Sequence, residues 1–274
     1  MEINEQKYNS DKVSVPAAFE EVFSHFYFAE NNTDRPVTKP LFPSYQTILI
    51  FSFGSKISLT SQQNTTIEAD KCVVLGPIKQ AFDYTLLPGS EMLVANFKAD
   101  AFYRFFGNVL LSDGLAFHPD KLLNKNCFTD LWYQLKEIDS VSQKVDFILA
   151  FCKPYLKNRN ITSKLLSDFA NEAQDAIKVI AQQTSQSERS VQLNHKKIFR
   201  YSAKEINRYQ RFLKAVDLIR NIASNSTKMD WFEVIEQCGY YDQSQLIHDF
   251  KHFIHISPGQ FLKFQQDICF VKPE

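Results

Sequence analysis

The sequence predicts an α+β protein of two domains. Residues 1–155 read as an antiparallel β-sandwich or barrel with closing helices. Residues 160–274 read as an all-α domain in which two helix-turn-helix units are joined by a long helix. Three observations predict this. The chain has 274 residues, enough for two domains at roughly 150 residues each. From about Phe26 to Phe97 the chain shows short apolar runs broken by turn residues, as strands do. From Ser163 onward the apolar residues follow a helical period, and the segment repeats itself at an offset of 55 residues.

Composition excludes whole classes. Hydrophobic residues are 44%, charged residues 23%, and Lys+Arg equals Asp+Glu at 31 each, which rules out disorder and collagen-like structure. The polar start MEINEQKYNSDK has no apolar core of signal-peptide length, and no stretch approaches the roughly 18 apolar residues of a membrane helix, so a soluble, cytoplasmic protein is expected. Five widely spaced cysteines without a C-x-x-C pair (Cys72, Cys127, Cys152, Cys238, Cys269) argue for buried thiols rather than a disulfide framework or structural zinc. With seven glycines, and neither G-x-G-x-x-G nor a P-loop, no phosphate cradle is expected. The 25 Phe and 11 Tyr suit aromatic-filled cores and a ligand cavity.

The strand candidates are HFYFAE, TILIFSFG, KISL, KCVVLGP, FDYTLLPG and EMLVANFK, with Gly54, Gly76-Pro77 and Pro88-Gly89 at hairpin-like spacings. After Phe97 the period becomes helical. ADAFYRFFG is one piece, and in the run from Cys127 to Leu156 the residues Leu131, Leu135, Ile138, Val145, Ile148 and Phe151 share a face of one or two helices closing the first domain. KPYLKNRNITS, which breaks that period with charge and Asn, is the linker candidate.

The repeat carries the functional reading. Ile177 aligns with Phe232, Ile180 with Ile235, Ser187 with Asp242, Val191 with Leu246, Lys196 with Lys251, Ser202 with Ser257, and Ile206 with Phe261. In each copy an apolar helix (AIKVIAQQ, WFEVIEQC) leads into a short turn, TSQ in one and Gly239 in the other. A cap residue, Ser187 or Asp242, then opens a second helix. Fifteen residues later a new cap follows: Ser202 with Glu205 as an S-x-x-E box, and Ser257 with Pro258 at the first helical turn. The helix AKEINRYQRFLKAVDLIRN between the units spans roughly 27 Å. Successive major-groove faces of B-DNA lie about 34 Å apart. Between Arg189 and Lys214 stand Arg189, Lys196, Lys197, Arg200, Lys204, Arg208, Arg211 and Lys214 against Glu205 alone, a basic face suited to phosphates.

The string CGYYDQSQLIHDFKHFIHISPGQFLKF, Cys238 to Phe264, resembles the signature of the AraC family of bacterial transcription regulators through Gly239, Tyr240, Asp242, Leu246, Phe250-Lys251, Ser257-Pro258 and Phe261. SERSVQLNHKKIFRYSAKEINRYQRF is similar to the family's other unit but more diverged. The first 150 residues resemble, faintly, the cupin-like sensor domains that precede such units. Three features depart from the pattern. The glycine expected before each Ser cap is Arg200 or His255, Ala203 replaces a proline, and His195 stands where a Phe is expected. A side chain at either glycine position costs about 1 kcal/mol if the backbone is left-handed there. His195 reads as a partly buried neutral His.

With Val191, Ile198, Leu246 and Phe250 packed inward, the opposite faces offer Arg189, Ser190, Gln192, Leu193, Lys196 and Lys197 in the first unit. In the second they offer Gln243, Ser244, Gln245, His248, Lys251 and His252. Arg forks onto guanine, Gln pairs with adenine, and Leu packs on the thymine methyl. The resemblance implies base contacts from Arg189, Gln192, Leu193, Gln243, Ser244, Gln245 and His248, with Ser190 on the same face. Lys196, Lys197 and Lys251 suit phosphates. Asp249 either pairs with a basic neighbour or accepts from cytosine N4, and both readings stay open.

In the first domain only His25 and His118 occur, far apart and without an H-x-H string, so neither metal nor cofactor is expected. No nucleophile, base and acid stand together in the sequence, and no enzyme is expected. Double-stranded DNA is the expected partner, and the resemblance implies that the first domain binds a small-molecule effector or pairs with a second copy through helices around Asp130 to Phe151. One alternative is a protein-interaction module for a partner such as RNA polymerase. The other is a small-molecule-binding cupin-like enzyme with an accessory helical domain.

Overall fold

The computed structural model describes residues 7–61, 65–109, 116–123, 125–159, 161–168, 173–224 and 229–270. Among the described residues ten strands come first: β1 (Tyr8–Val13), β2 (Phe23–Asn31), β3 (Val37–Leu41), β4 (Ile48–Phe53), β5 (Ile57–Ser61), β6 (Thr66–Ala69), β7 (Cys72–Leu75), β8 (Phe82–Leu86), β9 (Ser90–Phe97) and, beyond helix α1 (Ala101–Phe106), β10 (Ala116–Phe117). They form two antiparallel sheets, β1-β2-β9-β4-β7-β10 and β3-β8-β5-β6. Helices α2 (Pro119–Leu123), α3 (Cys127–Lys136) and α4 (Val141–Cys152) follow. An α+β protein with an N-terminal antiparallel sandwich and a helical C-terminal part is what the sequence predicts.

β4 shows how the layers are built. Its six residues ILIFSF are all buried, because both of its faces are covered and the side chains alternate between them. Ile48 and Ile50 point into the space between the sheets, with Ile57, Leu59, Leu86, Met92 and Val94. Leu49, Phe51 and Phe53 point to the other face, onto a Phe-rich layer with Phe97 of β9 and Phe102, Phe105, Phe106 and Phe128 from α1 and α3. Trp132 Nε1 donates to the Ser52 carbonyl at 2.7 Å, and buried Lys144 pairs with Glu91, fixing α3 and α4 on the sheet. Gly54 is required where it stands: its φ is +73°, and an added Cβ would lie 2.1 Å from the Gly89 carbonyl oxygen.

The helical run from Cys127 resolves into two helices because Ser140 caps a new one, accepting from Gln143 N. Beyond α4 the linker candidate is pinned at its start. Arg159 forks onto fully buried Asp100 at 2.7 and 3.1 Å, and Arg104 Nε donates to the Lys157 carbonyl. Residue 160, within that segment, lies outside the described residues, as do the first six residues of the polar start.

The remaining helices are α5 (Ile161–Asp168), α6 (Ala173–Gln183), α7 (Glu188–Phe199), α8 (Ala203–Ser224), α9 (Trp231–Cys238), α10 (Gln243–Ile254) and α11 (Pro258–Phe270). The 55-residue offset holds at four helix boundaries. α6 and α9 end at 183 and 238, α7 and α10 run over 188–199 and 243–254, and α8 and α11 begin at 203 and 258. α8 is longer than its sequence suggested: 22 residues, roughly 33 Å, because Ile222 and Ala223 continue its apolar stripe. One expected equivalence fails. Ile177 is 4% exposed, but its partner Phe232 is 83% exposed, and Val234 fills the core of the second unit instead. No described helix is long and apolar enough to cross a membrane.

Candidate nucleic-acid interface

Capping fixes where each candidate helix begins. Ser187 Oγ accepts from Ser190 N at 3.2 Å at the head of α7, and Asp242 Oδ1 accepts from Gln245 N at 2.8 Å at the head of α10. The next caps are reciprocal boxes. Ser202 N donates to Glu205 Oε2 (2.8 Å) while Glu205 N donates to Ser202 Oγ (3.2 Å), and Ser257 and Gln260 make the same pair of bonds at the same distances. The expected glycine positions are left-handed without glycine, Arg200 at φ 67° and His255 at φ 62°. Both end a helix in the αL conformation that lets the backbone turn toward the following cap.

On α7, Val191, His195, Ile198 and Phe199 are buried, while Arg189, Gln192, Leu193, Lys196 and Lys197 are exposed and Ser190 is half-buried. Leu193 stands 62% exposed. Arg189, Leu193 and Lys196 fall at i, i+4 and i+7, one stripe of the helix. On α10, Leu246, Asp249, Phe250, Phe253 and Ile254 are buried, while Gln243, Ser244, His248 and Lys251 are exposed. Ser244, His248 and Lys251 repeat the same spacing. Gln245 is already occupied: its Oε1 accepts from Tyr241 N, one residue before the cap, at 2.9 Å, so pairing with adenine would cost that bond.

Asp249 does not face outward. It is 1% exposed and accepts from Arg208 Nε at 2.6 Å and Arg211 Nη2 at 3.1 Å, tying α10 to α8. The two guanidiniums lie against Phe253 and Tyr240. This narrows the basic face read from the sequence. Arg208 and Arg211 turn inward and share the single carboxylate of Asp249, and Lys196, Lys197 and Lys251 remain as exposed lysines on the candidate helices. His195 is a core residue. Its Nδ1–H donates to the Tyr201 carbonyl at 2.9 Å, its ring packs on Phe199 and Tyr201, and burial lowers its pKa.

The structure also joins three residues that the sequence separates. Cys72 Sγ lies 3.4 Å from His118 Nε2, and His118 Nδ1 lies 3.6 Å from Asp120. The grouping has the composition of a nucleophile, base and acid but not their chemistry. His118 Nδ1 accepts from Asp120 N, which leaves the proton on Nε2, facing the sulfur. Burial pushes the Cys72 thiol up to about 12. Asp120 spends both oxygens on the start of α3, accepting from Phe128 N, Thr129 N and Thr129 Oγ1. The cluster anchors a helix. Among the described residues no group of three or more His, Cys, Asp or Glu is placed to hold a metal ion.

No model of a known protein family matches the chain, and no curated protein matches it in sequence. Among solved structures it is similar to ToxT from Vibrio cholerae O395, at 12% identity over 95% of this chain and 97% of that one, with a TM-score of 0.40. It is also similar to unsaturated-fatty-acid-bound ToxT from strain SCE256, at 12% identity over 96% and 97% with a TM-score of 0.36. Its β-rich part is similar to an RmlC-like cupin protein from Desulfovibrio desulfuricans, at 14% identity over 35% of this chain and 88% of that one, with a TM-score of 0.28. At such identities the likeness is one of architecture and assigns no residue a role.

Proposed function

We propose that this chain is a sequence-specific DNA-binding transcriptional regulator. In this reading residues 160–274 grip DNA and residues 1–155 sense a small-molecule effector and dimerise through α3 and α4. The observation that carries it is the duplicated pair of capped twelve-residue helices. Each has a buried apolar face and an exposed polar one, and they stand at matched ends of units joined by α8. Arg189, Ser190, Gln192 and Leu193 from α7, and Gln243, Ser244, Gln245 and His248 from α10, are the base readers, with Lys196, Lys197 and Lys251 on phosphates. No chemical step is assigned to the chain.

Selection of bound sequences from a random DNA pool, followed by mobility-shift titration, tests this. Arg189→Ala and Gln243→Ala are expected to weaken binding to the selected site by about 1–3 kcal/mol each. Lys196→Ala or Lys251→Ala should weaken all sequences alike and lower the salt slope by about 1. Equal losses on selected and scrambled DNA for Arg189→Ala would refute base reading. The exposed aromatics Phe232 and Tyr241, at 83% and 91%, favour a second surface on the helical half for a protein such as RNA polymerase.

A further inference from the structure

Between the two sheets lies a cavity of about 360 Å³, within the range of small-molecule sites. Its walls are apolar, with Ile48, Ile50, Leu59, Met92 and Val94 among them. None of the residues lining it is Lys, Arg, Asp or Glu. Its polar groups form two sets. One is His25, Ser44 and Asn96, with His25 opposite Asn96 where β2 pairs with β9. Two residues further along β2, roughly 7 Å, the Tyr27 hydroxyl meets that of Tyr84 at 2.9 Å, and Tyr84 meets Tyr8 at 2.7 Å. Burial, and after it the nearby Lys12, lower the pKa of His25. A carboxylate or phosphate placed here would be desolvated with no charged lining residue to pair with, whereas a hydroxyl, carbonyl or amide would find partners among these polar groups.

The mouth of the cavity is mechanically tied to the helical half. Leu41, Phe42, Pro43 and Ser44 form its rim. The Pro43 carbonyl accepts from the Tyr209 hydroxyl of α8 at 2.5 Å. The next residue, Tyr45, is held at φ 55° and buried in the helical core, its ring stacked on Tyr209 at 4.6 Å and edge-on to Tyr201 at 5.1 Å. Ser44 N and Tyr45 N both donate to the Ile78 carbonyl. The loop that Ile78 begins carries Ala81, whose N–H donates to the Phe253 carbonyl in α10.

We infer that the space between the sheets binds an uncharged, mainly apolar small molecule bearing a hydroxyl, carbonyl or amide group, and that its occupancy acts on α8 and α10 through the strap Leu41–Tyr45. This deepens the regulator reading and rests on it for its physiological meaning, but the ligand class and the strap are testable without DNA. The full chain is titrated with N-phenyl-1-naphthylamine, a neutral fluorophore, and with its sulfonated analogue 1-anilinonaphthalene-8-sulfonate. The neutral probe should bind saturably at one site and the anion at least about tenfold more weakly. Decanol should displace the neutral probe and decanoate should not. Val94→Phe, which fills the cavity, should abolish the signal, and the decanol competition settles the point if that variant does not fold. Hydrogen exchange with and without probe should change at residues 42–46 and in α8 and α10. In Tyr209→Phe the probe should bind as before while the change in the helices shrinks. Equal binding of anion and neutral probe, or displacement by decanoate, overturns the ligand class. Exchange changes confined to the strands overturn the strap. Failure of the DNA selection, with both results intact, would instead refute the regulator reading alone.

Discussion

Replacing Asp249 with Asn tests the central joint of the helical half. The carboxylate is 1% exposed and holds two guanidiniums, Arg208 at 2.6 Å and Arg211 at 3.1 Å. Removing one partner of a fully buried pair costs about 3–5 kcal/mol, because a charge is left desolvated. Here the arginine side chains keep 30% and 25% of their exposure, so water partly recovers them. The expected loss is therefore about 2–3 kcal/mol, or a fall of roughly 4–12 °C in Tm at 2–4 °C per kcal/mol. Thermal and urea unfolding of Asp249→Asn, Arg208→Gln and the double variant form a cycle in which the double variant should be more stable than the sum of the two losses implies. DNA affinity should drop for all sequences alike, since α10 loses its seat. An Asn variant as stable as the parent, with preference lost at a single base pair, would refute this reasoning and make Asp249 a cytosine reader.

Arg200→Gly should stabilise the chain by about 0.5–1 kcal/mol, since a side chain at φ 67° is strained and glycine is not; a lower urea midpoint would contradict that. Ser202→Ala should cost about 1 kcal/mol through the lost box with Glu205, read from the same unfolding curves. The lowered pKa of His195 gives a signed pH dependence. The unfolded chain takes up this proton first, so the stabilisation is whole above about pH 6.5 and drains away as pH falls below it. His195→Phe should flatten that part of the acid limb, and an unchanged pH profile would show that the ring does not titrate on unfolding.

What could be read in the sequence follows from how local each signal is. The interior strands β4, β7 and β9 announce themselves because both of their faces are covered and apolar residues run on without a break. β1 (YNSDKV) and β3 (VTKPL) are sheet-edge strands, largely exposed and polar, and their composition does not mark them. The duplicated units were legible because caps and turns are short-range chemistry, so Ser187, Ser202, Asp242 and Ser257 placed the helix starts. The partner of Asp249 was not legible, since 41 and 38 residues of chain separate it from its two arginines. Nor was the exposure of Phe232: the offset that aligned it with Ile177 preserves backbone geometry, while Val234 supplies the packing.

The place of Tyr45 changes what counts as a complete module. Its side chain belongs to the β-rich half by sequence and to the helical half by surroundings, wedged among Tyr201, Tyr209 and Phe253. A protease cut near residue 160 would therefore not release a finished helical fragment. The freed piece would carry an aromatic socket with its plug removed, prone to stick to other molecules or to borrow a tyrosine from a neighbour.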